Sequence, residues 1–163
     1  SNVIPATGEL EVTVRHTERE YLNGLSTQIK KIFEGAALCT GTTVHVEFYG
    51  NPYDDMNQNH RGTHLIEEVM TDMGLDFEPG PADIGGSSDI GNVSYQCAAF
   101  HPKLRLAGPD KVCHAKEFAD AMLEPTIEQT IVDGANIIGR TLLRLVETPD
   151  ILQEIVDEFN ETK

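Results

Sequence analysis

The first fifty residues change their hydrophobic period twice, and this change limits the folds open to the chain. Residues 10–16 alternate apolar and polar side chains, as a half-buried strand does. An amphipathic helix is predicted next, with Thr17 and Glu20 as a capping box at its start and Gly41 at its end. The apolar positions of this helix are Leu22, Leu25, Ile29, Ile32 and Ala36. A second alternating segment follows, with Val44, Val46 and Phe48 on one face. The order strand–helix–strand predicts an α/β fold.

A polar segment with Gly and Pro at residues 50–59 indicates a loop or a boundary between subdomains. After it, the spacing predicts a short helix from Leu65 to Met73 that Gly74 closes, and then a long loop over 78–94. Two short strands, at 95–100 and 103–107, are predicted next, followed by two helices. Thr148 and Pro149 open the second of these helices. The first has an apolar stripe, formed by Ile127, Ile131, Ala135, Ile138, Leu142 and Leu145.

The charge balance excludes some partners. The chain carries 27 acidic and 12 basic residues, a formal net charge of −15, which would repel nucleic acid and an anionic membrane surface. No apolar run reaches the ~20 residues of a membrane helix, and the first ten residues do not resemble a signal peptide. Cys39, Cys97 and Cys113 form no CxxC pair. They are typical of reduced thiols, so a cytoplasmic protein is expected.

Two histidines, His60 and His64, stand four residues apart, a spacing that can bind zinc on one helix face. The protease motif HExxH is absent because Arg61 stands where that motif has Glu. His60 is also expected to precede the helix. The residues themselves therefore favour surface or capping histidines over a metal site.

The glycine-rich stretch from Gly85 to Gly91 lacks the Lys-Ser/Thr of a phosphate loop and does not match GxGxxG. Asp83 and Asp89 also disfavour an anion at this place. Two interpretations stay open. The glycines serve turns that need positive φ, or they let the backbone approach a metal or substrate closely.

Cys113 and His114 are neighbours in sequence, and Glu117 follows three residues after the histidine. Side chains of adjacent residues diverge, so the cysteine and histidine do not make a nucleophile–base pair. His114 and Glu117 could share a helix face. From the residues alone, a capping or buried histidine is favoured over a metal ligand.

Several motifs occur in the order of one known family. These are NVIP, ELEVTVRH, YDDMNQN, GSSDIGNVS, FHP and CHAKEFADAM, which together run the length of the chain. The chain resembles the C-terminal part of the dizinc metallohydrolases that include aminoacylase, carboxypeptidase G and the aminobenzoyl-glutamate hydrolases. Within that family it is most similar to the branch of the aminobenzoyl-glutamate utilization protein B and the aminoacylase-1-like amidohydrolases. Where that branch often has Asn before a metal-binding histidine, this chain has Cys113.

The resemblance implies a fold and a site. Residues 1–52 would form half of a ferredoxin-like lid or dimerisation domain, and 53–163 the C-terminal part of a zinc-peptidase-like catalytic domain. His114 would be the last ligand of a pair of zinc ions. The remaining ligands and a glutamate general base belong to an earlier segment of the family that does not precede Asn2 here. The expected cleft-lining residues are Asn59, Gly86, Ser88 and Asp89.

The resemblance also implies an activity. The family hydrolyses the amide bond of N-acyl amino acids, aminobenzoyl-glutamate or small peptides, so the chain is expected to be a fragment of such an enzyme and to be inactive alone. Self-association through the region from Leu10 to Tyr49 is expected, giving a homo-oligomer. One alternative is a non-catalytic interaction or dimerisation module. Another is an anion-binding α/β domain that uses the glycine-rich loop.

Overall fold

The computed structural model describes residues 2–79, 86–106, 108 and 111–162. Its helices are α1 (Arg19–Thr40), α2 (His60–Asp72), α3 (Ile90–Ser94), α4 (Lys116–Ala121), α5 (Thr126–Glu147) and α6 (Pro149–Thr162). The chain separates into two compact units, Ser1–Asp55 and Met56–Lys163. The assignment of residues 1–52 to a lid and of 53–163 to a catalytic domain stays a prediction.

In the first unit, α1 ends where the sequence predicts. Gly41 adopts the left-handed conformation with φ of 67°, and the Thr42 N–H donates to the Ala37 carbonyl at 3.0 Å. The start of α1 differs from the prediction, because the N-cap residue is Glu18 and its own side chain makes no capping hydrogen bond. The capping box of Thr17 is therefore wrong. The Arg19 N–H instead donates to the Asp55 carboxylate at 3.2 Å.

The segments predicted as strands from alternation, 10–16 and 44–48, are not strands in the structure, and the described residues include no β-strand. None of the described residues of the first unit is fully buried. A strand needs a neighbouring strand to receive its backbone hydrogen bonds. The α/β class and the half lid therefore stay predictions.

The second unit is built on three helices that pack against one another, α2, α5 and α6. Leu65 and Val69 of α2 are 0% and 1% exposed, and Ile137 of α5 and Ile155 of α6 are each 2% exposed. Burial of apolar side chains of this size is the main source of the unit's stability. A second layer of half-buried side chains covers the cluster of Ile66, Met70 and Ile137: Met73, Leu75, Phe77, Phe100 and Leu104.

The observed bounds of α2, α5 and α6 agree with most of the helix ends predicted from the sequence. Gly74 follows the end of α2 with φ of 70°, and the Leu75 N–H donates to the Met70 carbonyl at 3.0 Å. Pro149 is the first residue of α6, as predicted. The start of α2 is the exception, since His60 is its first residue and not a residue before it. Among the described residues, no helix is both long enough and apolar enough to cross a membrane.

Candidate functional site

Asn59, a predicted cleft residue, fixes the start of α2. Its side chain is buried, with the residue only 3% exposed. Its Oδ1 accepts from the Gly62 N–H at 2.9 Å, as an N-cap residue does, and its Nδ2 donates to the Ile155 carbonyl of α6 at 2.9 Å. The amide therefore joins the first turn of α2 to α6. The preference for Asn at N-cap positions was the sequence signal for a helix start at His60.

A second residue of α6 completes this junction. The carboxylate of Glu158 accepts from the His60 N–H at 2.7 Å and from the Arg61 N–H at 2.8 Å. The first N–H groups of a helix have no partner within the helix and carry its positive dipole end, so a carboxylate is favourable there. Arg61 also pairs with Glu154, one turn earlier in α6. Sequence reasoning missed Glu158, because it lies 98 positions from His60 and no local pattern links the two.

Gly62 is in the first turn of α2, and an aromatic ring occupies the space that a larger side chain at this position would need. A Cβ built on Gly62 would be 1.8 Å from Cε1 of Phe100. Phe100 is half-buried and belongs to the FHP motif, and His101 beside it is exposed. The motifs HRGTH and FHP thus meet through a direct helix–ring contact.

His64 lies on the exposed side of α2. Its Nδ1 is 3.5 Å from the Glu67 carboxylate and its Nε2 is 3.4 Å from that of Glu68. This geometry agrees with the surface histidine that the sequence favours. In the described part of the chain, no three His, Cys, Asp or Glu side chains are placed to hold a metal ion.

The glycine-rich loop is described from Gly86 onward, and Asp83 and Gly85 lie outside the described residues. Gly86 and Asp89 are exposed and Ser88 is half-buried. The Ile90 N–H donates to the Ser88 hydroxyl at 3.4 Å, where α3 begins. The loop therefore presents a hydroxyl and a carboxylate close to solvent.

Ser94, at the end of α3, anchors this loop to the motif YDDMNQN. It is 0% exposed. Its hydroxyl donates to the Gly91 carbonyl at 2.6 Å and accepts from the Asn57 N–H at 2.8 Å. The Asn57 amide reaches Thr162 of α6 at 3.2 Å. Two segments that resemble the metallohydrolase family thus meet at one buried serine, which sequence reasoning did not single out.

His114 occupies a tight turn before α4. Its φ is 69°, and it is the one non-glycine residue with positive φ in the described part of the chain. The Ala115 N–H donates to the Val112 carbonyl at 3.2 Å and closes the turn, which leaves His114 and Cys113 exposed. The capping or buried histidine is therefore wrong, since His114 is exposed and the N-cap residue of α4 is Ala115. His tolerates the left-handed region better than most residues, but the conformation still costs about 1 kcal/mol or more.

Among the described histidines, only His114 has a positive φ. Strained backbone conformations of this kind occur preferentially at functional sites. The turn precedes α4, so His114 and Glu117 do not share a helix face. The resemblance implies that His114 lies near the loop of Gly85 to Asn92, and this position stays a prediction. Cys113, Cys39 and Cys97 are all exposed free thiols.

Comparison with known proteins points to peptidases. No known protein family's sequence profile matches the chain. It is 27% identical to the Xaa-Arg dipeptidase of Mus musculus over 161 residues, which is 97% of this chain and 37% of the dipeptidase. It is 25% identical to the Xaa-Arg dipeptidase of Homo sapiens over 164 residues, again 97% of this chain and 37% of that protein. The chain therefore spans less than two fifths of the length of these relatives. The similarity supports a relationship to peptidases and amidohydrolases at the level of a family.

Proposed function

We propose that this chain is the C-terminal part of a metal-dependent hydrolase that cleaves the amide bond of a short peptide or an N-acyl amino acid. The observation that carries the proposal is the similarity to two dipeptidases over 97% of the chain. A shared small domain or a single motif would align over a short stretch only. The motifs that resemble the amidohydrolases run along the same chain and support the same class.

His114 would contribute one imidazole to the metal site. Its side chain is exposed, and its strained turn holds it outside the helical core. Zinc sites in enzymes need about three protein ligands, and the described residues of this chain bring no such group together. The described residues therefore fit only part of such a site. Bound divalent metals supply Lewis-acid polarisation of a carbonyl and an acidified water in enzymes of this kind.

The loop from Gly86 to Asp89 would line the substrate cleft. The Ser88 hydroxyl and the Asp89 carboxylate offer hydrogen bonds to a peptide, and Gly86 lets the chain approach it closely. Asn57 and Ser94 would keep this loop in place, since their hydrogen bonds tie α3 to the segment before α2. In this proposal Asn59 positions α2 and acts on the substrate only through the scaffold. Zinc, a homo-oligomer and the cytoplasmic compartment are further parts of the proposal.

The experiment is a chimera in which this chain replaces the matched span of the mouse Xaa-Arg dipeptidase. The isolated chain and the chimera are compared for bound metal and for hydrolysis of Xaa-Arg dipeptides, N-acyl amino acids and aminobenzoyl-glutamate. We expect metal-dependent turnover from the chimera and none from the isolated chain. In the chimera, His114→Ala should reduce turnover by about 100-fold or more, since even outer contacts of a metal ligand are worth roughly 10- to 100-fold.

His64→Ala is the matched control, because His64 is an exposed histidine to which the proposal gives no role. Stoichiometric metal and strong turnover in the isolated chain would show that the site is complete without further protein. A folded chimera that hydrolyses none of these substrates would favour the non-catalytic module. Near-normal turnover of His114→Ala would remove His114 from the site.

A further inference from the structure

The short helix α3 is not held in place by its own hydrogen bonds. It has five residues, and a helix of this length is not stable alone. The Gly91 N–H donates to the Ser88 carbonyl at 3.4 Å. The Val93 N–H donates to the Asp89 carbonyl at 3.3 Å, and both distances exceed the usual value of about 2.9–3.0 Å. The position of the loop from Gly86 to Asp89, which leads into α3, therefore depends on contacts that α3 makes elsewhere in the second unit.

Asn57, in the segment before α2, fixes the last residue of α3. That residue, Ser94, is 0% exposed. Its hydroxyl accepts from the Asn57 N–H at 2.8 Å and donates to the Gly91 carbonyl at 2.6 Å, so these bonds are shorter than those at the start of α3. The Asn57 Nδ2 also donates to the Ser94 carbonyl at 3.4 Å. Asn57 therefore binds both the side chain and the backbone of the residue that ends α3.

The side chain of Asn57 is held in turn by the last turn of α6. Its Nδ2 carries two hydrogens, and Thr162 Oγ1 accepts the second at 3.2 Å. The Thr162 hydroxyl lies 3.1 Å from the Glu158 carbonyl and 3.3 Å from that of Phe159, and it donates its own hydrogen there. Towards Asn57 the hydroxyl therefore accepts. The amide nitrogen lies between two acceptors, and a carboxylate oxygen in its place would be repelled by the Ser94 carbonyl.

Resting on the proposed function, we infer that Asn57 and Thr162 are positioning residues that set the affinity of the hydrolase for its substrate. Neither touches the substrate. Asn57 links the end of α3 to α6, and this link keeps the loop from Gly86 to Asp89 in the conformation that binds the substrate. A loop that adopts this conformation for a smaller fraction of the time lowers the apparent affinity by that fraction. Substrate affinity therefore depends on α6, although Thr162 is exposed and lies 105 positions from Asn57 in the sequence.

The first test is Asn57→Asp in the chimera described above. This change keeps the size of the side chain and the N–H bond to Ser94, and it replaces the donor Nδ2 by an oxygen. We expect KM to rise about 3- to 10-fold while kcat stays within about twofold, because the loop binds the ground state and the transition state alike. Gln58→Glu is the matched control. It adds the same charge one residue away on an exposed side chain, and it should change neither constant.

A second pair of variants tests the contribution of α6. Thr162→Val removes the hydroxyl that accepts from Asn57 and keeps the shape of the side chain. Because Thr162 is exposed, the chain should still fold. We expect KM to rise about 2- to 3-fold, as for the loss of one exposed hydrogen bond, with kcat unchanged. Thr162→Ser keeps the hydroxyl and should restore the original KM.

Hydrogen exchange measures the position of the loop without any turnover. In the isolated chain, Asn57→Asp should speed exchange in peptides that cover residues 86–94 by at least about threefold, because these residues then open locally more often. Peptides from α5 should exchange as before. Glu158→Gln is the control for a general loss of stability, since it weakens the junction of α2 with α6 and leaves the side chain of Asn57 in place. It should not change exchange over residues 86–94.

The outcomes separate this inference from the proposed function. A lower kcat at unchanged KM overturns the inference, because unfolding reduces only the concentration of active enzyme. Unchanged exchange over residues 86–94 in Asn57→Asp also overturns it, as does an active chimera whose KM stays the same. Faster exchange together with a chimera that hydrolyses nothing supports the link from Asn57 to the loop and refutes the proposed function. If Asn57→Asp does not fold, Thr162→Val and Thr162→Ser decide by the same criteria.

Discussion

Gly62→Ala is the sharpest test of how the second unit is packed. The added Cβ would lie 1.8, 2.3 and 2.6 Å from three atoms of the Phe100 ring. A ring cannot bend away as the end of a flexible side chain can. Phe100 is also packed against the cluster of Ile66, Met70 and Ile137. The ring or the first turn of α2 must therefore shift.

Two effects of opposite sign set the size of the change. Forcing extra volume into a packed core costs typically about 1–3 kcal/mol. Alanine is favoured over glycine within a helix by about 0.5–1 kcal/mol. Because the overlap involves three ring atoms, we place the first effect at the upper end of its range. The net loss in the free energy of unfolding is then about 2–2.5 kcal/mol, or roughly 8–20 °C in melting temperature for a unit of this size.

The assay is urea and thermal unfolding of the isolated chain, followed by circular dichroism. Two other helical glycines serve as controls with less crowded surroundings than those of Gly62. A Cβ at Gly134 would be 3.3 Å from the Cδ1 of Leu104, and one at Gly139 would meet nothing within 4 Å. Gly134→Ala should be close to neutral, because the end of Leu104 can move. Gly139→Ala should stabilise the chain by about 0.5–1 kcal/mol.

A double mutant separates the ring contact from other causes. In a Phe100→Ala background the overlap is gone, so Gly62→Ala should there become stabilising, as Gly139→Ala is. The coupling free energy of this cycle should be about 1–3 kcal/mol, as for other residues in direct contact. If Gly62→Ala is as stable as the unmodified chain, or if the cycle shows no coupling, the packing of Phe100 on α2 is wrong.

Three further substitutions test the junction of α2 with α6 and the strained turn. Glu158→Gln should lower the free energy of unfolding by about 1–2 kcal/mol, because the carboxylate accepts two N–H groups at the start of α2. Its control is Glu161→Gln, an exposed change in the same helix, which should lower the free energy of unfolding by less than about 0.5 kcal/mol. Asn59→Ala should cost about 2–3 kcal/mol, since it removes both the cap of α2 and the buried hydrogen bond to the Ile155 carbonyl. The exposed Asn160→Ala should be neutral or slightly stabilising in urea unfolding. His114→Gly should stabilise the isolated chain by about 1 kcal/mol in the same measurement, because glycine adopts the φ of 69° without strain; a loss of stability there would contradict the strained turn.

Local signals in the sequence were enough to predict the three longer helices of the second unit, α2, α5 and α6, but not α3 or α4. Glycine adopts a positive φ easily after the end of a helix, and proline fits the first position of one. The structure places Gly74 after the end of α2 and Pro149 at the start of α6. The period of α5 also predicts its length well. The period does not say which side of the helix is buried, since α5 is apolar on two sides. The predicted stripe includes Ile131, Ile138 and Leu142, and all three are exposed.

Contacts between distant residues could not be predicted. Nothing around Glu158 indicates that it caps a helix 98 positions earlier. Gly62 looks like an unfavourable residue in a helix until the ring of Phe100 is placed on it. The strands predicted in the first unit depend on partners in the same way, because alternation describes one strand and pairing needs two. His114 was singled out by resemblance, and its positive φ left no mark in the local sequence.

The residues of the second unit separate into two groups with different tasks. Asn59 and Ser94 are buried, and their side-chain polar atoms are engaged by hydrogen bonds within the unit. Asp89 and His114 are exposed on the loop before α3 and the turn before α4. The first pair therefore contributes to the free energy of folding, whereas Asp89 contributes little and the strained turn at His114 opposes it. If the chain supplies part of a hydrolase site, exposed residues such as Asp89 and His114 would supply its chemistry. Substitution of Asn59 would then reduce activity only in proportion to the fraction of protein that unfolds, whereas substitution of Ser94 would also release the loop of Gly86 to Asp89.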